Sequence, residues 1–257
     1  MIMLTSKTQL SSVHRIRTGY AIKLMNGVIV SLFLIHTVFS SAQSPAPAKG
    51  FVKRGRILMS RNMVDAAIES YTRAVELSPN YAEAYVDRGL ARRAKGDLAG
   101  SIEDYEKAAS IDPRSIQGNR FVAESYSNRG FIKLDALDVD NAIQDFTTAI
   151  KINPDDPDHY HKRGLARMLN EDLGLALEDL NKALSITSNN DSKVFIYLTR
   201  ATVKLLQNRK DDAHKDFEES IKLSRDKSYM VESYLQSLQS QIMRVRQHRT
   251  KQQKSIV

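Results

Sequence analysis

The sequence predicts an all-α protein in which five helix–turn–helix hairpins stack in line and one further helix closes the row. Three observations carry this. A 34-residue frame recurs five times, with small and aromatic residues returning at fixed positions. Apolar residues in its clearest copy, Tyr85–Pro113, fall at helical spacing. Breakers punctuate that copy, with Lys95-Gly96-Asp97 between its two helices and Asp112-Pro113 at its end. Tyr85 and Gly89 lie four apart on one face, and the glycine lets a second helix approach closely. Ile102, Tyr105, Ala108 and Ala109 form the facing stripe. One such hairpin cannot bury its apolar face alone, so it requires neighbours.

Residues 1–42 are expected to be an address rather than part of the fold. Lys7, Arg15, Arg17 and Lys23 occur there without an acid, ahead of an apolar run over 24–39 broken mainly by Asn26 and His36. That run is short of the roughly 20 residues needed to span a bilayer and fits the apolar core of a secretory signal. Ser40-Ser41-Ala42 offers small residues for cleavage. Export by a cleaved signal peptide is the expected localisation, periplasmic or secreted. The alternatives are a single-pass anchor through 24–39, which would tether the array to a membrane, and an organellar transit peptide. Residues 43–47 read as an extended linker.

The hairpins follow in order. Repeat one, 48–81, carries Phe51, Gly55, Ala67, Tyr71, Ala74 and Pro79 at the recurring positions. Repeat two, 82–115, has Ser101 where the others have alanine. Repeat three, 123–156, carries Tyr126, Gly130, Ala142, Phe146, Ala149 and Pro154. Repeat four, 157–190, has Tyr160, Gly164, Ala176, Leu180 and Ala183 but no closing proline. Repeat five, 194–227, is the most decayed, with Tyr197, Ala213 and Phe217 in place, Ala201 for the glycine and Ser220 for an alanine. Residues 116–122 and 191–193 interrupt the frame, and either longer helices or a bend would absorb them.

Tyr85, Gly89, Ala108 and Pro113, with Tyr105 in place of phenylalanine, match the spacing W-x2-L-G-x2-Y…A-x3-F…P. Over about 180 of its 257 residues the chain resembles the tetratricopeptide-repeat family. The resemblance implies a right-handed solenoid whose first helices line a concave groove. On the family's pattern, the groove candidates are Val52, Val86, Leu90, Phe131, Leu134, His161, Leu165 and Met168. Several of these would serve equally well as helix-to-helix packing. The family's carboxylate clamp needs lysine, asparagine and arginine at set positions of three successive repeats. Val52, Arg56 and Asp87 stand at such positions, and Asn128 is isolated, so a chaperone-adaptor role is not expected.

One rule belongs to this chain. Position 7 of the frame is Arg54, Arg88, Arg129, Arg163 and Arg200, while position 23 is Ser70 and then Asp104, Asp145, Asp179 and Asp216. Arg88–Asp104, Arg129–Asp145, Arg163–Asp179 and Arg200–Asp216 are expected as structural ion pairs, across each hairpin or between stacked repeats. A ladder of arginines for anionic ligands is the competing reading. The matching acids argue against it, and a partly buried pair fixes register better than it adds stability.

Chemistry is sparse. With no cysteine there is no disulfide framework, thiolate zinc site or cysteine nucleophile. His159 and His161 are two apart, so on a helix they diverge and cannot share a metal. Paired acids such as Asp155-Asp156 have no companion nucleophile, and the Arg-Gly steps are not a phosphate loop. No enzyme, cofactor or metal is expected. Asn190-Asp191-Ser192 matches a glycosylation acceptor, relevant only in a eukaryotic secretory protein.

Residues 228–257 leave the frame. Val231, Leu235, Leu238, Ile242 and Val245 make one apolar stripe, expected to cap repeat five. A coiled-coil seam would need three or four heptads, and only two are present. Arg244, Arg246, Arg249, Lys251 and Lys254 follow without an acid. The chain has 38 basic and 30 acidic residues; without the nine at its two ends, 29 basic residues face those 30 acids, so the net +8 describes the ends. No aromatic residue interleaves the tail, so nucleic-acid stacking is not expected. The function expected is a non-enzymatic scaffold that binds a protein segment in its groove. The alternative is an adaptor for polyanions or membrane surfaces acting through the tail.

Overall fold

A computed structural model describes residues 45–224 and 228–256, and the chain divides into two compact units, residues 1–84 and 85–257. The expected signal or anchor lies outside the described residues. Among the described residues the regular elements are eleven α-helices and one short 3-10 turn. None of those helices is long and apolar enough to cross a membrane.

The first unit holds α1 (Pro45–Ser60), α2 (Val64–Leu77) and the first turn of α3 (Ala82–Lys95). Helix α1 opens inside the stretch expected to be linker. Proline tolerates a first helical turn, where its missing N–H would have had no partner. Ala48, Val52, Ala67, Tyr71 and Ala74 are buried between α1 and α2. Ser70, which stands where later repeats have aspartate, donates its hydroxyl to the Phe51 carbonyl at 3.0 Å.

The second unit continues with α4 (Leu98–Ile111), α5 (Arg120–Asp135), α6 (Val139–Ile152), α7 (Pro157–Leu169), α8 (Leu173–Ile186), α9 (Asn190–Leu206), α10 (Lys210–Ser224) and α11 (Ser228–Ile256). Each hairpin closes on its recurring residues. A Cβ added at Gly89 would lie 2.5 Å from Cε1 of Tyr105, and one at Gly130 would lie 3.0 Å from Cε1 of Phe146. The ring of the second helix therefore occupies the space the glycine leaves. Tyr105, Phe146 and Leu180 are fully buried against these positions, as is Ala201 where repeat five replaces the glycine.

Both interruptions of the frame are absorbed in helices and turns. Pro113–Ile116 forms the 3-10 turn, Gly118 (φ +69°) donates its N–H to the Ile152 carbonyl at 2.8 Å, and Asn119 caps a lengthened α5 through the Phe121 and Val122 amides. Residues 191–193 become the first turn of α9, capped by Asn189 at the Ser192 amide.

The turn between paired helices has its own periodicity. Asn62, Gly96, Leu137, Glu171 and Asn208 all occupy position 15 of their repeats, and all have positive φ, from 58° to 91°. Glycine and asparagine enter this left-handed region easily. Leucine and glutamate do so at a cost of about 1 kcal/mol each.

Candidate functional site

Two arrangements on the second unit bear on function: a polar seam along the hairpins, and the exposed face of the first helices.

The seam is built from the arginine and aspartate positions. Asp104, Asp145, Asp179 and Asp216 are nearly inaccessible, and each accepts two hydrogen bonds or more from the arginine sixteen residues earlier. The shortest contacts are 2.6 Å from Arg88, 2.7 Å from Arg129, 2.7 Å from Arg163 and 2.6 Å from Arg200. A second cation one helical turn on completes every carboxylate: Arg92 at 3.0 Å, Lys133 at 2.8 Å, Arg167 at 2.7 Å and Lys204 at 2.6 Å. Each arginine also lies over the tyrosine three residues before it, with 5.2 to 5.9 Å from guanidinium carbon to ring centroid. Between stacked repeats the same arginines reach back to position 25. Arg129 meets Glu106 at 3.2 Å, Arg163 meets Thr147 at 3.2 Å and Arg200 meets Asn181 at 2.7 Å. One side chain thus ties its own hairpin and the preceding repeat. An outside anion would have to compete with a carboxylate already in place.

The second cation was legible in the sequence as a Lys or Arg four residues after each arginine in repeats two to five, a spacing that puts both on one helix face.

The groove candidates scatter in environment. Val52, Val86, Leu134, Leu165 and Met168 are buried, Leu90 is half-buried, and Phe131 is 49% exposed. Leu134, Leu165 and Met168 belong to one buried cluster that also contains Leu238 and Val245 of α11. The last helix therefore does more than meet repeat five as a cap would. From α9 of that repeat it runs on along α7 and the end of α5, over the face expected to receive a ligand.

Its contacts follow its length. The Tyr234 ring packs against Phe195 of α9, with centroids 5.0 Å apart. Its hydroxyl lies 2.7 Å from Oγ1 of Thr199 and 3.3 Å from Nε2 of His161, which is itself 2.9 Å from that Oγ1. Thr199 donates its own hydrogen to the Phe195 carbonyl at 2.9 Å, so the tyrosine O–H and a histidine Nε2–H can both donate to it. Burial holds His161 down to about 4, with Asp158 acting to raise it and Lys162 to lower it, and pushes Tyr234 up to about 12. Both rings are neutral at pH 7. Farther along, Arg244 donates to the Asp135 carboxylate at 3.2 Å and carbonyl at 2.9 Å. Arg249 donates to Oδ1 of Asn170 at 2.7 Å and lies 3.6 Å from Glu171. A small cavity remains beside Gln241 and Val245, walled by Phe131, Leu134 and Leu169.

Asp135, Glu171, Thr199 and Tyr234 were not among the sequence candidates, because only the return of α11 brings Tyr234, Arg244 and Arg249 to Thr199, Asp135 and Glu171. His159 is buried, neither ring nitrogen has a hydrogen-bond partner, and Asp156 lies 3.7 Å away; burial lowers its pKa. Among the described residues no group of three or more histidine or acidic side chains is placed to hold a metal ion.

Family models described as TPR repeat and tetratricopeptide repeat match residues 55–92, 82–115 and 131–191. A comparison with the curated proteins returned no match. Among solved structures, YrrB, described as a TPR protein with an unusual peptide-binding site, is 18% identical with a TM-score of 0.54, covering 79% of this chain and 96% of its own. Two crystal structures of MamA are 21% and 22% identical, with TM-scores of 0.52 and 0.50. They cover 71% and 68% of this chain, and 94% and 96% of theirs. At these identities the likeness is one of fold.

Proposed function

The chain is a tetratricopeptide-repeat protein, and from that premise we propose that it is a non-enzymatic scaffold whose first-helix face binds a protein segment. Repeats of this kind support a role in protein interaction. One observation carries the finer reading: that face already receives an amphipathic helix, α11, through an apolar strip with a polar anchor at one end and ion pairs at the other. A surface that accepts one helix by its apolar side has the chemistry to accept another. The peptide-binding site named for YrrB is consistent with this use of the fold. The reading also keeps the array exported or tethered through its N-terminus.

The basic-tail alternative has less to work with. Arg244 and Arg249 are engaged by Asp135, Asn170 and Glu171, which leaves Arg246, Lys251 and Lys254 as the exposed cations outside those contacts. Affinity capture with the full chain beside Phe131→Arg and Asp135→Lys tests both. A partner that is lost with these variants and retained at moderate salt supports the face. One that survives the variants and washes off with salt assigns the function to the tail.

A further inference from the structure

The fit of α11 is incomplete in a specific place. Gln241 presents Oε1 to a buried position where it has no hydrogen-bond partner, beside the cavity walled by Phe131, Leu134 and Leu169. A buried acceptor without a donor opposes docking, and the small cavity beside it, walled by Asp135 and Arg244 as well as by Phe131, Leu134, Leu137 and Leu169, forgoes contacts that an apolar side chain would make with those rings and methyls. Elsewhere the seam is well matched. Tyr234 reaches Thr199 and His161, Leu238 and Val245 are 3% and 5% exposed, and two arginines meet carboxylates. Charge on the two sides is complementary: the scaffold contributes Asp135 and Glu171, and the helix contributes Arg244 and Arg249.

We infer that α11 is a displaceable resident of the groove, and that the partner is a basic amphipathic helix of another protein carrying an apolar residue where α11 has Gln241. The inference rests on the groove reading above and deepens it. The recognised pattern, in the register of α11, is Tyr234, Leu238, Ile242, Val245 and Arg249. The partner's apolar residue fills the space beside Phe131, its basic residues meet Asp135 and Glu171, and α11 must leave as it enters. Apparent affinity is reduced by the fraction of chains with α11 docked, which makes that helix a threshold on binding.

The probe is a fluorescein-labelled synthetic peptide of residues 228–250 carrying Gln241→Leu, read by anisotropy against the full chain. A chain with Leu238→Glu and Val245→Glu, whose own helix cannot dock, is expected to bind it at least tenfold tighter than the unmodified chain. Adding Asp135→Lys and Glu171→Lys should remove most of that gain, and the peptide with Gln241 restored should bind severalfold more weakly. Equal binding to the unmodified and opened chains overturns the occlusion by α11 while leaving the groove intact. No binding to an opened chain that keeps its helical circular dichroism overturns the groove reading as well. Should the opened chain not fold, Gln241→Leu in the intact chain is the second arm. It should exclude the peptide further and slow hydrogen exchange in α11, and unchanged uptake and exchange overturn the inference. A concentration-dependent dimer of the unmodified chain, lost in the opened one by sedimentation, would also overturn it by making a second copy's α11 the occupant.

Discussion

Truncating Asp179 to alanine tests whether the polar seam holds the repeats in register. Its carboxylate is 5% exposed and takes three charge-assisted hydrogen bonds, from Arg163 Nε at 2.9 Å, from the other Arg163 donor at 2.7 Å and from Arg167 at 2.7 Å. Removing it leaves two guanidinium groups with side chains only 14% and 17% exposed and no counter-ion between them. Breaking a buried pair in this way costs about 3–5 kcal/mol. The space vacated is small and the guanidinium edges reach water, so we expect the lower part of that range, about 3–4 kcal/mol. For an array of this length that is a fall in melting temperature of roughly 5–15 °C. Urea is the right denaturant, because guanidinium chloride screens the interaction being measured. The informative comparison is a triple variant, Asp179→Leu with Arg163→Met and Arg167→Met, which removes the orphaned cations together with the acid. It should recover at least half of the loss. A cost below about 1 kcal/mol for Asp179→Ala, or a triple variant as unstable as the single one, would show that stranded charge is not what the aspartate prevents.

The remaining predictions use the same hairpins. Gly89→Ala places a Cβ 2.5 Å from Tyr105 Cε1 and 3.0 Å from the Ser101 carbonyl, and should cost about 1–3 kcal/mol in urea unfolding. At Gly164, where the nearest atom is Leu180 Cγ at 3.0 Å, the same change should be close to neutral, because the helix-propensity gain of about 1 kcal/mol offsets the milder crowding. Gly96→Ala, at φ +91°, should destabilise by about 1 kcal/mol in the same assay, whereas Glu171→Gly, at φ +67°, should stabilise its hairpin by a similar amount. Acid should loosen α11. The His161 pKa is lowered in the folded chain to about 4, so the unfolded chain binds its proton first; stability is complete above about pH 6.5 and is lost as pH falls toward 4. The loss attributable to this ring, up to about 3 kcal/mol, is the difference in pH dependence between the unmodified chain and His161→Gln, and identical profiles would remove His161 from the account.

Much of this architecture was legible in the sequence because it is local and repeated. A glycine opposite an aromatic ring and a proline past the second helix, as in repeats one to three, specify a hairpin through contacts spanning a few turns. Repetition multiplied that signal five times. The arginine and aspartate positions were legible for the same reason, sixteen residues apart in every pair from repeat two onward. The left-handed turn residue was not, since position 15 holds asparagine, glycine, leucine or glutamate. The closure of the hairpin imposes that backbone conformation and overrides side-chain preference.

The site divides along the same line. Sequence alone determined that α11 has one apolar stripe and that the first helices offer an apolar face, because both are periodicities within single helices. Only the tertiary structure decided that the two meet, that Leu134, Leu165 and Met168 share a cluster with Leu238 and Val245, and that Arg244 finds Asp135 across 109 residues. An amphipathic stripe records that one face must leave water and says nothing about the surface that covers it. That choice depends on shape, on the cavity beside Gln241 and on the acids at the far ends of α5 and α7, which come together only when the repeats are stacked.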